Sequence, residues 1–146
     1  MPTQFTHRLL SSTEAPPTKE KVSAVFLVAF QVGKLLSIQN ERGWDIPGGH
    51  IEGDEEPFEA LQREVLEEAG AEVRSAVPYA ILSSVSSPKV MLFFASDDIS
   101  LAKFIPSADA LARDLLDSKE LLGRYYGDRE LLTVLIEAAA RKLKAR

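Results

Sequence analysis

From Val22 to Phe30 the chain reads VSAVFLVAF, a stretch without charge and rich in β-branched and aromatic side chains, which predicts a buried strand. Gln31-Val32-Gly33-Lys34 then predicts a turn, and Leu35 to Gln39 the returning strand of a hairpin. Further on the period changes. Phe58, Leu61, Val65 and Ala69 recur at helical spacing, which predicts an amphipathic helix from about Pro57 to Ala69. Pro57 falls in its first turn, Asp54, Glu55 and Glu56 place negative charge at its N-terminus, and Gly70 is suited to end it. Two more strands are expected, roughly Val73 to Val85 and Lys89 to Ser96, joined by a Ser-Ser-Pro turn. Ser107 to Leu116 reads as a short helix with Ser107 as its N-cap, and Asp128 to Lys144 as a longer one. Residues 1–20, with Pro16-Pro17 and several Ser and Thr, read as an irregular arm ahead of a single domain over 21–146. Strands with a helix between them and a helix at the end predict an α/β fold, a central mixed β-sheet covered on both faces as an α/β/α sandwich.

Charge alters this picture at one place. From Gly49 to Ala71 the chain holds eight acidic residues against one basic one, Arg63. That segment contributes 1 − 8 = −7 to a net charge of −5, so the rest of the chain carries about +2. Glu64, Glu67 and Glu68 span about 100° of the helical wheel beside the apolar stripe. Like charges at i and i+4 repel, and solvated helix faces usually interleave Lys or Arg at that spacing. The composition therefore points to a missing counter-ion. Carboxylate oxygens without His or Cys beside them select a hard cation, Mg²⁺ with Mn²⁺ as its substitute, over zinc.

The residues around the glutamates carry a resemblance. Gly49, Glu55, Arg63, Glu64, Val65, Glu67, Glu68 and Gly70 follow the pattern Gly, five residues, Glu, seven residues, Arg-Glu-aliphatic-x-Glu-Glu-x-Gly. This resembles the Nudix box, and Trp44-Asp45-Ile46-Pro47-Gly48-Gly49 resembles the approach to it. Ala71 departs, standing where the family usually has Val, Leu or Ile, which touches no ligand. The resemblance implies a Nudix-like α/β/α sandwich and a metal-dependent hydrolase. Such an enzyme cleaves the pyrophosphate linkage of a nucleoside diphosphate joined to another group, by attack of water at phosphorus. It implies Glu64, Glu67 and Glu68 as metal ligands with the carbonyl of Gly49, and Glu55 with Arg63 as the pair that holds loop and helix in shape. The general base is left between Glu64 and an acid from a later loop, where Asp98, six residues before Phe104, is the candidate. A nucleotide-sensing or regulatory domain on the same scaffold is the alternative, and an acidic helix that binds a basic partner is a further one.

Other residues are assigned by their chemistry. Arg42 can contact a phosphate or face water, and Trp44 can stack on a base, although packing of the Pro-Gly-Gly loop is its more usual task. His50 and His7 do not support a histidine mechanism. Four basic residues at the end, Arg141, Lys142, Lys144 and Arg146, complement the dipole of the last helix and do not make a nucleic-acid surface in a chain of pI near 5.1. No cysteine is present, no apolar run reaches the length of a membrane span, and the start lacks a signal-peptide pattern, so a cytoplasmic protein is expected. The partners expected are a small-molecule nucleotide and no membrane. A homodimer is compatible with Leu131, Leu132, Val134, Leu135 and Ile136 on the last helix and with the family, where dimers are common.

Overall fold

The computed structural model describes residues 5–146. Among them eight strands form one mixed sheet. They are β1 (Phe5–Leu9), β2 (Val22–Gln31), β3 (Lys34–Asn40), β4 (Gly43–Asp45), β5 (Gly48–His50), β6 (Ala71–Ser84), β7 (Val90–Leu101) and β8 (Ala112–Leu116). The order along the main path is β1-β6-β7-β2-β3-β4, with β5 added to β2 and β8 to β3. The pair β2 and β7 is parallel, and the other strand pairs are antiparallel. Three α-helices among the described residues accompany the sheet, α1 (Pro57–Ala69), α2 (Ser118–Arg124) and α3 (Arg129–Lys144), and a short 3₁₀ helix at Lys19–Lys21 leads into β2.

Alternation along β2 divides the core. Val25, Leu27 and Ala29 pack on the side that receives Ala60, Leu61, Val65 and Ala69 of α1. Phe26, Val28 and Phe30 point the other way, where Leu132, Leu135, Ile136 and Ala139 of α3 cover them. A period of two in the strand thus meets a period of 3.6 in each helix, and the sandwich follows. On the α3 side the buried Tyr79 hydroxyl donates to the carbonyl of Leu135 at 2.8 Å and ties the helix to β6.

α1 has the bounds that its apolar stripe and Pro57 predict. Glu56 and Glu59 form a reciprocal capping box at its start, and Gly70 ends it in the left-handed region at φ 59°. Other elements differ from expectation. The arm is not irregular throughout, since β1 pairs with β6 from Phe5↔Ser84 to Leu9↔Ala80; the exposed sheet edge supplies ladder partners that an all-exposed segment does not advertise. Residues Ser107 to Leu116 form no helix. Its second half is β8, registered on β3 from Gln39↔Ala112 to Leu35↔Leu116, because pairing with a free edge outweighs local helical spacing. Ser107 does accept from Ala110 N–H at 3.2 Å, but it closes a turn. α2 was not foreseen, although Asp117 caps it by accepting from Glu120 N–H at 2.8 Å. Directly after Pro47, Gly48–His50 pairs with β2 as β5.

Candidate active site

β5 and α1 bring the acidic segment together. A Cβ at Gly49 would collide with the carboxylate of Glu64, so only glycine lets that side chain lie against the β5 backbone. The Gly48 N–H donates to Glu68 Oε1 at 2.9 Å. Glu64 and Glu68, one helical turn apart, are thus both turned toward the same short strand.

Arg63 holds the loop before α1. Its Nε and Nη2 donate to the two carboxylate oxygens of Glu55 at 2.7 and 3.0 Å, a bidentate pair. Nη2 also donates to the carbonyl of His50 at 3.0 Å, and Nη1 to Glu64 at 2.9 Å and Glu67 at 3.3 Å. One guanidinium therefore joins the loop, β5 and two of the three glutamates. Its charge and hydrogen bonds hold the Glu55 carboxyl below the ordinary glutamate range. The side chain of Glu67 is 60% exposed and that of Glu64 15%, so the three glutamates share a helix face but not a solvent environment.

Glu68 is the perturbed acid. Burial pushes its pKa up to about 7, and the negative charges of Glu64, Asp45 and Asp109 add to the effect against the single Gly48 N–H that lowers it. Burial also raises Glu64, with Arg63 opposing. Asp45 is raised by burial while accepting from Ile46 N–H at 2.7 Å and from the Tyr126 hydroxyl at 3.0 Å. Neither Asp45 nor Asp109 was singled out in the sequence. Asp45 could have been, since it lies inside the Trp-Asp-Ile-Pro-Gly-Gly run, whereas Asp109 reaches Glu68 only through the course of the loop between β7 and β8.

A polar cavity of about 380 Å³ lies beside Glu68, lined by Asn40, Glu41, Arg42, Ala108, Asp109 and Tyr126. Arg42 stands over the Tyr126 ring, 5.8 Å from its centroid, and Asn40 donates to the Tyr126 hydroxyl at 3.1 Å. Arg42 also lines a more apolar cavity of about 480 Å³ between the sheet and α3, together with Phe26, Asp45, Ile46, Phe93 and Tyr125. The arginine named from the sequence therefore sits where the two spaces meet. Trp44 does not line either one. It packs against the core on the α3 side and bridges to Tyr125. A further apolar cavity, about 560 Å³, opens at the opposite end of α1 between Pro16–Pro17 and Phe58, away from Glu68.

Asp98 is not brought to the glutamates. Ser75 Oγ donates to one of its oxygens at 2.8 Å and Arg74 Nε to the other at 2.9 Å, and these bonds hold its carboxyl below the ordinary range. Asp98 pairs across the ladder with Ser75, so the β6 side chains beside it meet both oxygens.

The donor set fits a hard cation. Glu64 and Glu68 offer hard oxygen ligands, half-buried and with other acids beside them, where burial first and the neighbouring charges second disfavour the bare carboxylate of Glu68. Among the described residues no three acidic or histidine side chains converge to enclose an ion by themselves. Such an ion would complete its shell with backbone, water or phosphate oxygens, as magnesium commonly does.

The comparisons agree with this geometry. The model of the NUDIX domain matches residues 18–119. No curated protein is similar enough in sequence to count as a relative. Among solved structures, a mutant of the Bacillus subtilis pyrophosphohydrolase BsRppH is 26% identical, with 80% of this chain and 77% of that one covered at a TM-score of 0.63. The mutator MutT protein from Bacillus halodurans is 19% identical over 77% and 80% of the two chains, TM-score 0.63. A UDP-X diphosphatase is 16% identical over 92% and 67%, TM-score 0.64. At those last two identities the likeness is one of fold. Matched over most of its length, and with the box residues gathered on β5 and α1, the chain belongs to the Nudix hydrolase family.

Proposed function

We propose that the protein, with residues 21–146 as one catalytic domain, is a Mg²⁺-dependent hydrolase of a nucleoside diphosphate linked to another group. A nucleoside triphosphate yielding a monophosphate and pyrophosphate is the simplest case. The observation that carries the proposal is the placement of Glu64 and Glu68 against β5 with more negative charge than their partners neutralise. The solved BsRppH is named a pyrophosphohydrolase, and another similar structure, from Streptococcus suis at 22% identity, an ADP-ribose pyrophosphatase; both names fit cleavage of a phosphoanhydride.

Mg²⁺, with Mn²⁺ as substitute, would be held by Glu64, Glu67, Glu68 and the Gly49 carbonyl. When bound it supplies positive charge to the phosphate oxygens and to water. The chain's own residues do the rest. Arg42 binds a phosphate from the rim shared by the two cavities. Arg63, clamped on Glu55, keeps Glu64 and Glu67 in place. Water attacks one phosphorus, its oxygen forms the new P–O bond, and the bridging P–O bond breaks with its electron pair leaving on the other phosphate. The water's proton passes to a carboxylate oxygen. Asp109 across the cavity takes the place proposed for Asp98, and Glu64 stays the other candidate.

No helix among the described residues is long and apolar enough to cross a membrane. A cytoplasmic homodimer acting on small nucleotides completes the proposal, with light scattering as the check of the dimer. The direct test is a panel of nucleoside triphosphates, sugar nucleotides, dinucleoside polyphosphates and CoA with Mg²⁺ or Mn²⁺ at alkaline pH, products separated by chromatography. Cleavage lost in Glu68→Gln is the expected result. A folded protein that binds a nucleotide and cleaves nothing with either ion would be a sensor domain instead. Asp109→Asn set against Glu64→Gln then tells the two candidate bases apart through their pH–rate profiles.

A further inference from the structure

We infer that Arg113 is a positioning residue for this reaction, a strut that sets the end of α1, and with it Glu68, against the loop that carries Asp109. The inference rests on the reading of the acidic site given above.

Arg113 lies on β8 opposite Ile38, with no place in the box. Its Nη1 donates to three carbonyls, those of Ala69 at 3.0 Å, Gly70 at 2.9 Å and Ala102 at 2.8 Å. The guanidinium carbon stands 5.7 Å from the centroid of the Phe104 ring. Two of those carbonyls belong to the residues that directly follow Glu68, and the third begins the segment leading to Asp109. A single nitrogen therefore touches both sides of the acidic cavity's frame.

The electrostatics of α1 explain why a cation is needed there. Carbonyls at a helix C-terminus lack partners and carry the negative end of the dipole. The last turn of α1 has no basic residue of its own, and it bears Glu67 and Glu68 where positive charge would be favourable. Arg113 supplies that charge from another element. Guanidinium suits the task because it stays protonated and presents several donors from one plane.

Backbone bonds carry the constraint along the loop. The Ala102 N–H donates to Gly70 at 2.7 Å, beside the guanidinium. At the other end the Leu111 N–H donates to Gln39 at 2.7 Å, and Ser107 N–H meets the Ala110 carbonyl at 2.9 Å. Asp109 lies in that closed turn and lines the same cavity as Glu68. With Arg113 removed, the backbone bond from Ala102 and the Ala71↔Leu101 ladder pairing behind it remain, but the Ala69 and Ala102 carbonyls lose the side chain that joins them, and the α1 end and the loop are free to shift against each other.

The test is Mn²⁺ binding by the full chain, measured by titration calorimetry and by electron paramagnetic resonance of free Mn²⁺, for wild type, Arg113→Met, Arg113→Lys and Tyr79→Phe. Tyr79→Phe removes a buried hydrogen bond on the opposite face of the sheet and controls for lost stability alone. Supporting partners of metal ligands change affinity by about 10- to 100-fold when removed. Arg113→Met is expected to weaken Mn²⁺ binding by about ten-fold or more and to lower kcat more than it alters KM, with Arg113→Lys recovering part of both. Tyr79→Phe is expected to lower the melting temperature and leave Mn²⁺ affinity as in wild type. The inference is overturned if the Arg113 variants bind Mn²⁺ like wild type, or if Tyr79→Phe weakens binding equally. If Arg113→Met does not fold, Arg113→Lys decides by the same readout. A wild type that binds no Mn²⁺ removes the metal site itself, a different failure.

Discussion

Glu68 and Asp98 are both carboxylates near the end of a regular element, and the fold treats them in opposite ways. Asp98 has a donor on each oxygen, the Ser75 hydroxyl and the Arg74 guanidinium, and its pKa is held down. Glu68 has one backbone N–H, partial burial and three acids for neighbours, and its pKa is pushed up to about 7. An acid whose partners are all supplied by the chain has completed its bonding. One left short of them keeps the capacity to take a cation or a proton, which is why perturbed carboxyls gather at reactive sites. Glu64 stands between the two, buried like Glu68 yet bonded to Arg63.

The contrast is tested most sharply by replacing Glu68. Glu68→Gln should lower turnover on the order of 10²- to 10³-fold, the worth of several kcal/mol of charge stabilisation, while the melting temperature holds or rises because repulsion is relieved. Loss of activity only through unfolding would contradict that assignment. Arg63→Gln comes next. Its removal frees Glu55, Glu64, Glu67 and the His50 carbonyl together, and turnover should drop about 10- to 100-fold with a lower melting temperature.

A smaller effect concerns pH. Between the ordinary glutamate value of 4.5 and about 7, folded Glu68 keeps a proton that the unfolded chain has lost. The folded state then binds more protons, so this group's contribution to stability falls as pH rises through that window. Thermal melts across it should show this slope in wild type without added metal, a shallower one with saturating Mg²⁺, and none from this source in Glu68→Gln. Identical slopes in all three would remove Glu68 as the origin. Asp98 and Glu55, held low, act in the reverse sense, and their stabilisation is lost only on acidification below the ordinary carboxylate values. Asp98→Asn is the mildest case, expected to leave turnover unchanged; a large fall in a steady-state assay would return Asp98 to the site.

Local pattern and long-range pairing were not equally visible in the sequence. The stripe Phe58, Leu61, Val65, Ala69 with Pro57 and Gly70 at its ends determines α1 from within, and so that helix and the face bearing Glu64 and Glu68 were legible. Asp128 likewise announces α3 as its N-cap. β8 depended on which edge it would find, and its spacing of alanines and leucines looked helical until β3 claimed it. The same limit applied to the site. The Glu55–Arg63 pair was legible through the resemblance, because both lie in one motif, and the bidentate contact bears it out. Asp109 and Arg113 belong to it only through the path of the segment between β7 and β8.

The parallel pair at the centre of the sheet has a consequence for how the molecule assembles. Ser23 bonds to the Val90 carbonyl, 67 residues further along, and everything between them, β3, β5, α1 and β6 included, must be accommodated before β2 and β7 can zip. Closing so long a loop costs entropy before any ladder bond repays it, which places this topology among slower folders. The glutamate-bearing helix lies inside that loop. Any intermediate with the hairpin formed but the parallel register still open would leave apolar β2 edge unpaired, so refolding yield should depend on protein concentration more than on the acids that make the site.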